Sequence, residues 1–258
     1  MKSKNLLNNL LSSKGFRSYV ESSLRETCSS GRECAFHVSF RPPDDGLRFP
    51  ENILIGDKTA VGKNLKFMRF LEAITISPED FSKLPYKDRL ALINRCDVPD
   101  IIVAPDGNEV VKEIGGSDTY YKILDFHTHP YQPNTPNLIR LFSSFSPTDL
   151  KNYVLGNIPI AMVLGAGKEL NDPMRGFLLA LTPDFNGGEE DYGKISDQIA
   201  RVESDIEFSR YYEDPLVTKI GVVTPFFYNG ELKFNKPSVA RLEEVLDQRP
   251  FLLKSFRK

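Results

Sequence analysis

The sequence predicts an α/β protein in which a mixed central β-sheet is flanked by helices. Segments whose residues alternate between apolar and polar, as in strands, occur between segments whose apolar residues recur every three or four positions, as in helices. Turn residues such as Gly, Pro, Asn and Asp separate the two kinds of segment. With 258 residues, of which 40% are hydrophobic, the chain can bury a substantial core. We therefore expect an α/β sandwich around one sheet.

The first helix is predicted over residues 14–28, where the apolar residues follow helical spacing and Gly31 supplies a stop. A strand is predicted over residues 33–40, because apolar and polar residues alternate there. One face of this strand carries Cys34, Phe36, Val38 and Phe40. The opposite face carries Glu33, Ala35, His37 and Ser39.

The remaining elements are predicted from the same two patterns and from turn signals. Strands are predicted at residues 70–76, 100–104, 109–114, 120–127, 158–164, 176–182, 217–228 and 231–234. Helices are predicted at residues 77–94, 148–155, 189–212 and 238–246. We interpret residues 1–185 as a core with an insertion around residues 42–117. Residues 186–258 are interpreted as a C-terminal extension, packed on the same domain or apart from it.

Composition narrows the class of protein. The formal charge of −2 and the pI near 6.0 leave no positive field for a polyanion, so no nucleic-acid partner is predicted. Cys28, Cys34 and Cys96 form no C-x-x-C pair, which argues against a disulfide framework and favours reduced thiols. The longest apolar run, residues 158–167, is too short to cross a bilayer, and the N terminus lacks a signal-peptide pattern. We expect a cytoplasmic protein with no membrane partner.

Two of the three histidines lie in the run DFHTHP at residues 125–130. His127 and His129 are two positions apart at the end of a predicted strand, so both imidazoles project from one face and can bind the same ion. A catalytic zinc typically has three protein ligands of the histidine and carboxylate type and keeps one position open. The spacing therefore predicts a metal site that needs one further ligand.

A carboxylate for this site is offered by Ser146-Pro147-Thr148-Asp149, where Asp149 begins a predicted helix soon after the histidines. The same pattern describes an ordinary helix cap, with Ser before the helix and Asp three residues later. Ser77-Pro78-Glu79-Asp80 repeats it with no histidine nearby, and we interpret it there as a cap alone. Taken alone, Ser146 and Asp149 are also better explained as a cap. The preceding HTHP favours a role at the metal.

The combination of H-x-H-P, S-x-x-D and an upstream glutamate resembles the motif of the JAMM (JAB1/MPN/Mov34) zinc metalloproteases. In this chain the motif comprises His127 and His129, Ser146 and Asp149, and Glu33. The resemblance implies a JAMM/MPN-like fold, a cytidine-deaminase-like α/β sandwich, that extends to about residue 182. It also implies Zn²⁺ as the cofactor and hydrolysis of an amide or isopeptide bond as the activity.

The resemblance also implies a role for each residue. His127, His129 and Asp149 would bind zinc, which can lower the pKa of its water to about 7. Glu33 would take a proton from that water and pass it to the leaving amine. Ser146 would donate a hydrogen bond to the oxyanion that develops on the scissile carbonyl.

Glu33 is preferred to the other upstream glutamates, Glu26 and Glu51, because it begins the strand that follows the first helix, where the family glutamate lies. His37 shares its strand face but stands four residues further on, roughly 13 Å away at the usual strand rise. We interpret His37 as structural.

Two spacings depart from the family pattern. Glu33 and His127 are further apart than in compact family members, which predicts added structure within residues 42–117. Residues 131–145 are also longer than the usual spacing, and we interpret them as a lid over the site or as a surface loop. Both departures leave the zinc ligands intact and the choice of substrate open.

The activity implied by the family is removal of a ubiquitin-like modifier from lysine, with the ubiquitin-like protein or its conjugate as partner. A homodimer or a partner subunit is left open, and so are an ordinary peptide or small amide as substrate and a non-catalytic MPN-type scaffold. The run D-x-H-x-H from Asp125 to His129 also begins the metal motif of amidohydrolases and PHP-type phosphoesterases. Those sites need further histidines downstream, and none follows His129.

Overall fold

The structure is a computed structural model. It describes residues 6–40, 47–50, 53–56, 75–77, 80, 83–85, 88, 101–103, 109–112, 119–131, 144–155, 158–182, 185, 187–201 and 219–248.

The strands in these ranges form one mixed sheet. They are β1 (Cys34–Phe40), β2 (Leu47–Arg48), β3 (Leu54–Ile55), β4 (Ile101–Val103), β5 (Glu109–Lys112), β6 (Thr119–His129), β7 (Ile160–Gly165), β8 (Met174–Leu181), β9 (Gly221–Tyr228) and β10 (Leu232–Phe234). Their order is β10-β9-β8-β7-β6-β1-β2, while β3 pairs with β1, and β5 pairs with both β4 and β6. β6 and β7 run parallel, and the other pairs run antiparallel.

Helices cover both faces of the sheet. They are α1 (Leu6–Ser12), α2 (Lys14–Ser30), α3 (Pro147–Leu155), α4 (Glu189–Arg201) and α5 (Lys236–Leu246). Apolar side chains of α1, α2 and α5 pack on one face of the sheet to form the first core. Those of α3 and α4 pack on the other face to form the second core. Because each face buries its own apolar layer, the sheet is the middle layer of an α/β/α sandwich.

The predicted α/β class, with a mixed sheet between helices, is confirmed. The helix predicted over residues 14–28 is α2. The hydroxyl of Ser13 accepts a hydrogen bond from the Phe16 N–H at 3.1 Å and caps its start. Gly31 ends it with a φ of 65°, a left-handed conformation that glycine adopts at little cost. The hairpin predicted within residues 100–114 is β4 and β5.

Some predicted boundaries are wrong by a few residues. β6 continues to His129 instead of ending at residue 127, so both histidines belong to the strand. β9 begins at Gly221, not at residue 217. Helix α1 and the short strands β2 and β3 were not predicted. The asparagines Asn8 and Asn9 interrupt the apolar pattern of α1, and Leu7, Leu10 and Leu11 are nevertheless buried in the first core.

Several predictions fall largely outside the described residues. They are the strand at residues 70–76, where Thr75 lies in a turn, most of the helix at 77–94, the second half of the helix at 189–212, the insertion at 42–117, and Cys96. β9 and β10 extend the same sheet beyond β8, and the division of the chain at residue 185 stays a prediction. Within the described ranges, the helices are too short or too polar to span a membrane.

Candidate metal centre

Strand β6 brings the two predicted histidines together. Leu124 and Phe126 point into the first core, so the alternation of a strand directs His127 and His129 to the opposite face. Their Nε2 atoms lie 3.0 Å apart, and the ring centroids are 4.7 Å apart. His127 is almost fully buried, at 1% exposure, and His129 is 8% exposed. Two nitrogens so close and so shielded from solvent can bind one ion.

Helix α3 adds the predicted carboxylate. Oδ2 of Asp149 lies 3.5 Å from Nε2 of His127 and 3.9 Å from Nε2 of His129. The ligand atoms of the three residues all lie within 4.8 Å of one another. Two atoms bound to one tetrahedral zinc, at about 2.0–2.1 Å each, are separated by roughly 3.4 Å. The observed separations bracket that value, so these residues fit a single metal ion.

Glu33 lies beside this group, immediately before β1. β1 pairs with β6 so that Ala35 faces His127, and Glu33 lies two residues earlier on the same face. Its Oε1 is 3.9 Å from Nε2 of His129. Only 7% of Glu33 is exposed. The predicted glutamate therefore reaches the histidines without belonging to the group of three that could hold the ion.

Ser146 acts as a helix cap in the structure. Its hydroxyl donates to Oδ2 of Asp149 at 2.7 Å and accepts from the N–H of Asp149 at 3.1 Å. The N–H of Ser146 donates to the same Oδ2 at 2.9 Å. The reciprocal bonds of a capping box thus coincide with the candidate ligand set. The oxygen that faces the histidines is held by two hydrogen bonds.

Tyr153 is a site residue that the sequence did not reveal. Its hydroxyl lies 2.9 Å from Nδ1 of His127, and the whole residue is 1% exposed. Burial, and then the neighbouring carboxylates led by Asp149, raise the pKa of Tyr153 well above its usual value. The phenol therefore stays protonated near neutral pH. One signal was available, because Tyr153 follows Asp149 by four residues and lies on the same face of a helix.

A buried ion pair lies further along β6. The register between β1 and β6 shifts so that Val38 faces Leu124 while Ser39 faces Lys122. The extra residue lets Lys122 reach Asp125, with Nζ and Oδ2 3.1 Å apart and each side chain 3% exposed. A strand bulge cannot be read from alternation alone.

The charges around the site favour a cation. Three carboxylates, those of Glu33, Asp125 and Asp149, share the neighbourhood of the histidines with the ammonium of Lys122. Among the described residues these carboxylates outnumber that ammonium, and a bound cation would complement them. Asp125 is paired with Lys122 and is absent from the group that could hold the ion.

Thr128, between the two histidines, faces the other side of the sheet. Its hydroxyl accepts a hydrogen bond from the N–H of Cys34 at 2.9 Å and lies 2.6 Å from the hydroxyl of Thr27 on α2. Cys34 directly follows Glu33. This buried contact therefore fixes the strand that carries the glutamate against the strand that carries the histidines.

The structure thus brings together the predicted residues His127, His129, Asp149, Ser146 and Glu33. His37 lies on β1 opposite Asp125, further along the strand than Glu33, and is not in the group of possible ligands. Glu26 belongs to α2. Most of the predicted lid at residues 131–145, and Glu51, fall outside the described residues.

Comparisons with known proteins found no matching family model, no similar curated protein and no similar solved structure.

Proposed function

We propose that the chain is a zinc-dependent metalloprotease of JAMM type that hydrolyses an amide or isopeptide bond. One observation carries the proposal. Two histidines from a strand and an aspartate from a helix offer ligand atoms within 4.8 Å of one another, and a buried glutamate lies 3.9 Å from one of these histidines. This arrangement combines a three-ligand site with a nearby base.

Zinc is the metal we propose, as the resemblance to the JAMM motif implies. Two imidazole nitrogens and one carboxylate oxygen are typical of catalytic zinc, whereas magnesium and calcium prefer ligand sets made of oxygen. When bound, zinc supplies Lewis acidity, which acidifies water and polarises a carbonyl group.

The chain's own residues supply the proton transfers and the positioning. Glu33 takes a proton from the attacking water and passes it to the leaving amine, as its place beside His129 allows. The hydroxyl of Ser146, which is bonded to Asp149 in the structure, donates to the developing oxyanion. His127 and His129 are held by β6, and Asp149 by its cap.

The substrate proposed is a ubiquitin-like protein joined through its C terminus to lysine. An extended tail can bind by adding a strand to a sheet. β3 pairs with β1 at Cys34 and Ala35, directly after Glu33. Its residues Leu54 and Ile55 are 39% and 50% exposed. An apolar, exposed strand beside the candidate base is a surface on which such a tail could lie.

The proposal is tested with zinc analysis and a cleavage panel. Purified protein should contain one zinc per chain, and it should cleave at least one conjugate from a panel of ubiquitin-like modifiers. A chelator should abolish the cleavage. If only ordinary peptides or small amides are cleaved, the zinc hydrolase stands and the modifier as substrate is wrong. Protein without zinc would contradict the proposal as a whole.

Glu33→Gln separates the base from the ligands. The variant should keep its zinc and lose at least a hundredfold in kcat, because the amide cannot accept the proton. Glu26→Gln is the matched control, since Glu26 lies on α2 and was the alternative glutamate; it should keep both zinc and activity. A Glu33→Gln enzyme with wild-type turnover would remove Glu33 from the mechanism.

A further inference from the structure

Tyr153 combines deep burial with a polar contact to a candidate metal ligand. Its ring lies edge-on to Phe145, with 5.8 Å between centroids, and belongs to the second core. Phenylalanine would fill the same space. A buried hydroxyl costs free energy unless it has a hydrogen-bond partner, and here Nδ1 of His127 lies 2.9 Å away. The hydroxyl, not the ring, therefore calls for an explanation.

The chemistry of imidazole supplies one. A neutral histidine carries its proton on one ring nitrogen, and the other nitrogen has the lone pair that can bind a cation. Nε2 of His127 faces His129 and Asp149, so the ion would require the proton on Nδ1. A phenolic oxygen accepts a hydrogen bond from such an N–H. Histidine ligands of metals are commonly oriented in this way by an acceptor behind them.

Helix α3 links this contact to the ligand set. Asp149 and Tyr153 are four residues apart on one helix, which places them on the same face about one turn apart. The helix thus places a carboxylate beside Nε2 of His127 and a hydroxyl beside Nδ1 of the same ring. A shift of α3 would move both contacts together.

We infer that Tyr153 is a positioning residue, whose hydroxyl accepts the Nδ1–H of His127 and thereby directs the Nε2 lone pair toward the metal. The inference rests on the metal centre of the proposed function.

Tyr153→Phe tests the hydroxyl alone. The dissociation constant for zinc, measured by competition with a chromogenic chelator, should rise about tenfold, the lower end of what such partners contribute. Tyr192→Phe is the matched control, because Tyr192 is also buried in the second core and lies edge-on to Phe185 at 5.6 Å. It should bind zinc like the wild type. A wild-type dissociation constant in Tyr153→Phe would overturn the inference.

A second measurement needs only the wild-type protein. In the zinc-loaded form, NMR should show a downfield Nδ1–H resonance of His127 with a cross-peak to the ring protons of Tyr153. If the resonance is not shifted downfield and has no cross-peak to Tyr153, the inference is overturned, even if Tyr153→Phe fails to fold. If the wild type bound no zinc, the proposed function would fail, and this inference with it. Wild-type binding that Tyr153→Phe leaves unchanged would overturn the inference alone.

Discussion

The chain contains the same four-residue pattern twice, and the two copies differ in their surroundings. We call Ser77–Asp80 the exposed cap and Ser146–Asp149 the site cap. In the exposed cap, the hydroxyl of Ser77 donates to Oδ2 of Asp80 at 2.6 Å and accepts from its N–H at 3.0 Å. The site cap has the same bonds at 2.7 Å and 3.1 Å. These two bonds have nearly the same lengths in the two copies.

The difference lies in what each aspartate faces. The Asp80 side chain is 70% exposed, whereas the Asp149 side chain is 20% exposed and lies 3.5 Å from His127. Phe145, before the site cap, is buried, and Tyr153, four residues after Asp149, reaches the histidine. Leu84 stands in the equivalent position after Asp80. A capping box therefore fixes the direction of a carboxylate, and the tertiary fold decides whether that carboxylate lies beside other possible metal ligands.

The largest expected effect comes from removing the two aspartates in turn. Asp149→Ala should abolish stoichiometric zinc binding, because the site loses one of three ligands. Asp80→Ala should keep full zinc content and lose only about 1 kcal/mol of stability, as is usual for a lost capping interaction. Metal analysis and urea unfolding measure both. Equal zinc content in the two variants would show that Asp149 is a cap and nothing more.

Removing the two serines should give a smaller effect that sharpens the comparison. Both Ser146→Ala and Ser77→Ala should lose about 1 kcal/mol of stability, since each serine caps its helix in the same way. Ser146→Ala alone should lower kcat, by about a hundredfold if its hydroxyl also stabilises the oxyanion. The measurement is turnover of the conjugate found in the panel. Unchanged kcat in Ser146→Ala would limit Ser146 to the capping role.

An effect on stability alone is expected for the support behind the site cap. The hydroxyl of Ser196 on α4 donates to the backbone carbonyl of Phe145 at 2.7 Å in a buried position. Ser196→Ala should cost about 1–3 kcal/mol in the free energy of unfolding, because a buried acceptor loses its donor. Ser12→Ala is the control, since the hydroxyl of Ser12 also donates to a backbone carbonyl, that of Asn9, but in an exposed position; it should change stability little. Equal losses would show that burial adds nothing at Ser196.

Much of the fold and of the site could be predicted from local patterns. Alternation placed Glu33 on one face of its strand and both histidines on one face of theirs. In the sheet, these two faces lie on the same side. Helical spacing and turn residues predicted α2, α3, α5 and the strand pairs β4–β5 and β9–β10. Such patterns repeat over several residues, so each position supports its neighbours. The spacing of the two histidines predicted a metal site, whereas the full ligand set and the proposed chemistry came from the resemblance to the JAMM motif.

The features that escaped prediction depend on contacts between distant segments. Tyr153 contacts Nδ1 of His127, and Ser196 donates a hydrogen bond to the carbonyl of Phe145. Lys122 meets Asp125 on one face only because of an irregularity in the β1–β6 register. None of these pairings has a local signature, since each requires knowing which strand or helix lies alongside. The sequence likewise does not separate the exposed cap from the site cap without the histidines.

The pairing of strand β9 with β8 limits how far this protein can be shortened. β9 pairs with β8 from Met174 to Leu181, and β8 is buried along nearly all of its length. A chain cut after residue 185 would leave an eight-residue apolar strand with open backbone donors and acceptors, a template on which other copies can aggregate. It would also lack α4, and with it the bond to the loop before Ser146. The described sheet therefore cannot be kept intact by trimming the chain to its motif.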